Sequence, residues 1–139
     1  MSVGDGIEAS RSSWTFSGDV ASTFDNHVSS QVPGYKEGHF LIKSYSDFFL
    51  SQNESLIVDI GCSTGQLLRG LEERHHSKSN KYIGIDPILE MITQARKNTI
   101  NQKSIIYECL EFHEFSFPQK ASMIISYYTM QFIAPRYRQ

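Results

Sequence analysis

The sequence predicts an α/β fold, a mainly parallel sheet with helices packed on it. Three observations carry that prediction. Apolar runs of strand length alternate with stretches of helical periodicity from residue 55 to residue 126. The run Leu56-Ile57-Val58-Asp59-Ile60 reads as a buried parallel strand, and it enters a turn, Gly61-Cys62-Ser63-Thr64-Gly65, that leads into the amphipathic stretch Gln66 to Leu71. The 139 residues, 40% hydrophobic and 20% charged, suffice for one core without disulfide support.

Taken in order, Met1 to Ser13 is rich in Ser, Gly and acid and reads as a flexible arm. Residues 14–54 read as an N-terminal helical cap. Trp14-Thr15-Phe16 is an aromatic cluster suited to dock on the domain. Val20, Ala21, Phe24 and Val28 fall at helical spacing and predict a short helix over Asp19 to Ser30, broken by Pro33-Gly34. Tyr35 opens a second helix, with Phe40, Leu41, Tyr45, Phe48 and Phe49 as its apolar face.

Residues 55–139 read as the α/β unit. Lys81 to Ile85 is its second strand, ending at Asp86, and Pro87 suits the first turn of a helix striped by Ile88, Met91, Ile92 and Ala95. Ser104 to Glu108 and Ala121 to Ser126 are the third and fourth strands. There the alternation stops. Each further βαβ unit takes about 30 residues, so the chain is expected to be truncated after the fourth strand, with that strand's edge exposed.

Composition narrows the function classes. A net charge of −2 gives no global pull toward nucleic acid or anionic membrane. No apolar run approaches the ~18 residues of a membrane span, and the N-terminus lacks the apolar core of a signal peptide. Cys62 and Cys109 lack CxxC spacing and read as reduced thiols, which makes the cytoplasm the default compartment. His75 and His76 sit in a polar connection and read as solvated. No Cys or acid lies at metal-ligand spacing from them, and no Ser-His-Asp or Cys-His signature appears.

A strand, a tight glycine turn and a helix N-terminus form a nucleotide-type pocket at the carboxyl end of the strand. A dinucleotide fingerprint needs G-x-G-x-x-G. Gly61 fills its first position, but Ser63 and Gln66 stand at the second and third, which suits a ligand without a pyrophosphate and disfavours NAD. Asp86 ends the adjoining strand, where a carboxylate can accept both hydroxyls of a ribose in either reading. Asp59 is expected to be buried and therefore hydrogen-bonded, the backbone of the glycine turn being the expected donor.

Val58-Asp59-Ile60-Gly61-Cys62-Ser63-Thr64-Gly65 resembles motif I of the class I S-adenosylmethionine-dependent methyltransferases, which have a Rossmann-like fold. Tyr82-Ile83-Gly84-Ile85-Asp86 resembles their motif II, and Ala121 to Ser126 their fourth strand. A narrower resemblance is to the carboxy-S-adenosylmethionine synthases, which convert S-adenosylmethionine and prephenate to carboxy-S-adenosylmethionine in tRNA wobble-uridine modification. It rests on Trp14-Thr15-Phe16, Val20-Ala21, Phe24, Val32-Pro33-Gly34-Tyr35, Gly61-Cys62-Ser63 and Ala121-Ser122-Met123 through Thr129-Met130-Gln131-Phe132.

The resemblance implies S-adenosylmethionine as cofactor, with S-adenosylhomocysteine as product, or carboxy-S-adenosylmethionine in the narrower family. It implies a cofactor site made of Tyr35 from the cap, Asp59, Gly61, Cys62, Ser63 and Gly65 of motif I, Asp86 at the ribose, and Pro87, Leu110, Glu111, Ser126 and Tyr127. The usual Gly-Asp pair after the third strand is absent, and Glu111 is the substitute acid beside the adenine. Tyr127 stands where the synthases have Asn. The synthase arginine that holds the extra carboxylate would fall beyond Gln139. The expected activity is methyl transfer to an unidentified acceptor, a small molecule among the candidates, without a dedicated catalytic residue. The reading from another class is a non-catalytic module, completed by a second copy or another chain through the exposed sheet edge.

Overall fold

The computed structural model describes residues 7–10, 13–16, 20–51 and 54–138. Most of the expected N-terminal arm lies outside the described residues; its stretch β1 (Ile7–Ser10) pairs antiparallel with β2 (Ser13–Phe16), so the first residues of the expected helical cap form a strand instead. The four-stranded sheet contains β3 (Leu56–Ile60), β4 (Lys81–Asp86), β5 (Ile105–Cys109) and β6 (Met123–Ile125). Its order is β5-β4-β3-β6 and every pairing is parallel. The chain winds outward from β3 to β5 and then crosses to the opposite side of β3, so the order reverses beside β3. That reversal opens a crevice at the carboxyl ends of β3 and β6, the place where open α/β sheets bind ligands.

The helices are α1 (Val20–Gln31), α2 (Tyr35–Phe49), α3 (Gln66–Arg74) and α4 (Leu89–Asn98). Alternate strand residues point to opposite faces. Ile57, Tyr82, Ile105, Tyr107 and Ile125 pack with Leu67, Leu68 and Leu71 of α3, Ile92 and Ala95 of α4, and Leu50. Leu56, Val58, Ile60, Ile83 and Ile85 pack instead with Leu110, Phe112, Phe115, Ala121 and Ile133. All five residues of β3 are buried, which is why this stretch reads as a continuous apolar run rather than an alternating one.

Several expectations need correction. The fourth strand covers only Met123–Ile125, so Ser126 lies past its end, and the third strand is shifted by one residue. Pro87 precedes α4, whose N-cap is Ile88, because the Asp86 carboxylate accepts the Ile88 N–H and ties the entry turn to the strand. On α2 the named apolar side chains face solvent, from 51% exposed at Leu41 to 80% at Phe48. The stripe turned toward the domain is Tyr35, His39, Ile42 and Ser46, continued by Leu50 beyond the helix end.

The inward place of Ser46 on α2 explains a further correction. His75 was expected in solvent but is buried, with Nε2 2.7 Å from Ser46 Oγ. Ser46 gives its own proton to the Lys43 carbonyl at 2.6 Å, so Nε2–H must donate to the serine oxygen. Burial, reinforced by Lys78, pulls the His75 pKa down and keeps the ring neutral. Ser46→Ala removes the acceptor from this buried N–H. It is expected to destabilise the chain by about 1–3 kcal/mol in urea unfolding, while an exposed serine change is nearly silent.

Candidate functional site

Gly61 occupies the left-handed region at φ +76 and ends β3 in a sharp turn. Its N–H and that of Cys62 both donate to the Ile85 carbonyl, at 2.8 and 3.0 Å. The Gly65 N–H returns to the Cys62 carbonyl at 2.9 Å. The Ser63 N–H donates to Asp86 Oδ2 and the Ile88 N–H to Asp86 Oδ1, each at 3.0 Å. One carboxylate at the end of β4 thus pins both the glycine turn and the entry to α4.

These bonds overturn the expectation for Asp59. The turn amides go to Ile85, Cys62 and Asp86, and no hydrogen-bond donor to the Asp59 carboxylate exists among the described residues. The side chain is nevertheless only 3% exposed. Burial, with the nearby Asp86 charge, pushes its pKa up to about 7. Asp86 is pushed up to about 6 by burial, against the opposing pull of its two backbone donors.

Both acids line a cavity of about 570 Å³ between α1, α2, the glycine turn and the loops after β5 and β6. That volume is within the roughly 300–1,000 Å³ range of small-molecule and cofactor pockets. Of the residues expected at the site, the cavity brings together Tyr35, Asp59, Gly61, Cys62, Ser63, Asp86, Pro87, Leu110, Glu111 and Tyr127. Gly65 and Ser126 are not among its lining residues. A Cβ on Gly65 would meet the Tyr107 hydroxyl, so the space this glycine leaves is filled by the chain's own core. The buried Cys62 thiol is likewise part of the core, and burial raises its pKa well above the usual thiol value.

Around the mouth, Tyr35 lies 4.6 Å from His39 and 5.4 Å from Tyr127 between ring centroids. The Tyr127 hydroxyl donates to the Tyr35 carbonyl at 3.2 Å, and the ring occupies the space a side chain on Gly38 would need. Tyr127 therefore both packs the cap against the loop after β6 and lines the cavity. Burial, reinforced by Lys43, lowers the His39 pKa to about 4 and keeps that ring neutral. Ser63 and Tyr128 hold positive φ, at 49 and 54, and both line the cavity; backbone strain of this kind gathers at ligand sites.

Glu111 lines the cavity and is also held locally: its side chain and that of Glu114 cap each other's backbone N–H in a short 3-10 turn, Phe112–Glu114. The described lining includes Asp25, Asp59, Asp86 and Glu111 but no Lys or Arg. No group of His, Cys, Asp and Glu among the described residues could hold a metal. The sequence reading missed Asp25, Thr64, Ile88 and Thr129, which reach the cavity from four separate segments; nothing in their spacing signals it.

The family described as methyltransferase domain matches residues 57–139. A carboxy-S-adenosyl-L-methionine synthase of Staphylococcus epidermidis is 38% identical over 121 residues, 86% of this chain and 51% of that protein. One from Wolinella succinogenes is 32% identical over 135 residues, 94% of this chain and 55% of that protein. The chain spans about half the length of these curated relatives. Among solved structures, the plantazolicin methyltransferase BpumL in complex with SAH is 24% identical, with a TM-score of 0.57 over 78% of this chain and 41% of that one. A putative S-adenosyl-L-methionine-dependent methyltransferase of Methanococcus maripaludis reaches a TM-score of 0.66 at 18% identity, over 92% of this chain and 57% of that one. Both structural likenesses are of fold. With its parallel sheet, its glycine turn and a family match over residues 57–139, the chain belongs to the methyltransferase domain family.

Proposed function

We propose that the chain forms the cofactor-holding part of an S-adenosylmethionine-dependent methyltransferase that acts on an unidentified acceptor. The observation that carries this reading is Asp59, a carboxylate that takes none of the turn amides and opens onto a cavity at the sheet's switch point. A buried acid in that state suits a cationic ligand group, and the cofactor's ammonium is such a group. Asp86 is held rigidly by two backbone N–H groups and keeps lone pairs free for a ribose diol. Pro87, Ile88 and Leu110 offer apolar surface for a base, and Tyr35 covers the ligand from the cap.

S-adenosylmethionine, when bound, supplies an electrophilic methyl group on a sulfonium sulfur. The chain's task is then to orient the ligand and exclude water, for which no acid–base residue is required. Calorimetry of the folded chain with S-adenosylmethionine tests the reading, and absence of binding sinks it. Asp86→Ala is expected to weaken binding about 10- to 100-fold, by loss of charged hydrogen bonds worth roughly 1–3 kcal/mol. An unchanged affinity would contradict the ribose assignment.

The relatives' name favours a second reading, a carboxy-S-adenosylmethionine synthase-like enzyme of tRNA wobble-uridine modification. The carboxylate this reading adds to the ligand, like the one S-adenosylmethionine already carries, finds no Lys or Arg among the described lining residues, so its partner would come from outside them. Mass spectrometry of co-purifying ligand separates S-adenosylmethionine from its carboxylated form. Cytoplasmic location belongs to either reading and is supported by the two free cysteines.

A further inference from the structure

We propose that Asp25 is a positioning residue for the cofactor, a clamp that holds the cap helix α1 against the glycine turn. The proposal rests on the reading of the cavity as an S-adenosylmethionine site. Helix α1 forms one wall of that cavity through Phe24, Asp25, His27, Val28 and Gln31. It is fastened to the α/β unit in two ways. Val20, Ala21 and Phe24 pack on Met91 and Ile88 at the start of α4. From the residue next to Phe24, the Asp25 carboxylate accepts a hydrogen bond from the Thr64 hydroxyl.

Thr64 is 1% exposed and lies between Ser63, whose N–H holds Asp86, and Gly65. The clamp therefore joins the cap to the segment that carries the proposed ribose acid. Arg69 completes it, donating to the Thr64 carbonyl at 2.7 Å and standing 3.8 Å from Asp25.

The two interactions of Asp25 are unequal. The Arg69 pair is long and partly exposed, and such pairs contribute little. The hydrogen bond comes from a buried hydroxyl to a charged acceptor, the stronger class. Losing it loosens α1 against the glycine turn, leaving the helix tied to the α/β unit there only by its apolar pad. A ligand beneath that wall then escapes faster.

The test measures dissociation of radiolabelled S-adenosylhomocysteine from the full 139-residue chain under competition with excess unlabelled ligand. Asp25→Ala and Thr64→Val are each expected to speed dissociation by about tenfold or more. The double variant is expected to be no faster than either single one, since both break the same contact. Asp25→Asn keeps an oxygen acceptor for Thr64 and is expected to restore most of the slow dissociation. If Asp25→Asn dissociates as fast as Asp25→Ala, the carboxylate charge acts directly on the ligand and the clamp is refuted. Unchanged dissociation in Thr64→Val, whose removed hydroxyl leaves no buried donor behind, also overturns it. If the native chain fails to bind S-adenosylhomocysteine and S-adenosylmethionine at all, it is the cofactor reading that fails, and the clamp falls with it.

Discussion

Asp59→Asn is expected to stabilise the ligand-free chain by on the order of 3 kcal/mol at about pH 8 while removing most of its affinity for S-adenosylmethionine. The two effects share one cause. Asp59 is 3% exposed and lacks a hydrogen-bond donor among the described residues, so its ionised form is penalised in the fold. Its pKa is about 7 in the native state against 3.8 for an ordinary aspartate. Below about pH 4 the carboxyl is protonated in both states and costs nothing. Between that pH and about 7 the unfolded chain binds fewer protons than the native one, so stability falls as pH rises. Above about 7 the full penalty applies. Asparagine has the same shape and no charge, so the stability difference between variant and native chain should grow from pH 4 to 7 and then level off.

Ligand binding runs the other way. A cation seated beside Asp59 favours the carboxylate and expels its proton, so affinity should fall as pH drops below about 7. Calorimetry near pH 6.5 in two buffers of different ionisation enthalpy should register proton release. Asparagine cannot pair with the cation, and losing one partner of a buried charge pair costs about 2–5 kcal/mol of binding. Equal affinity in the variant, or a stability difference that does not vary with pH, would remove Asp59 from the site.

Gly61→Ala is expected to cost about 2–4 kcal/mol of stability and to weaken cofactor binding in the fraction that remains folded. A residue with a Cβ is strained at φ +76, by roughly 1–2 kcal/mol. The added methyl would also strike the side chain of Thr129, and overpacking costs about 1–3 kcal/mol. Thr129 is not free to move alone. Its hydroxyl donates to the Tyr127 carbonyl at 3.1 Å and its carbonyl accepts from the Phe132 N–H at 2.9 Å. Displacing it therefore shifts the aromatic mouth of the cavity. Combining Gly61→Ala with Thr129→Ala should recover part of the stability in urea unfolding, leaving the cost of the backbone. A single variant within about 0.5 kcal/mol of the native chain would show that the turn relaxes freely.

Why Asp86 was legible and Asp59 was misread follows from the same geometry. The end of a parallel strand next to a glycine turn is a fixed place in the fold, so a carboxylate there is recognised from position alone. Which acid receives the turn's amides is not. The register of β3 on β4 places Asp59 beside Gly84 and leaves Asp86 one residue beyond the last pair, Ile60 with Ile85, within reach of Ser63 and Ile88. Glu111 does line the cavity, but its capping pair with Glu114 was not read from the sequence, although the partner stands three residues on.

By itself, the sequence determined the α/β order, the buried strand Leu56–Ile60, the glycine turn and the family. These depend on periodicity and on residue types at short spacing, which local sterics and burial translate directly into structure. Only the tertiary structure decided which face of α2 turns inward, that His75 is buried on Ser46, that Asp59 is left without a donor and that Asp25 reaches Thr64. Each of those is a meeting of segments separated in sequence, and it follows from how helices settle on the twisted sheet rather than from any pattern within one segment.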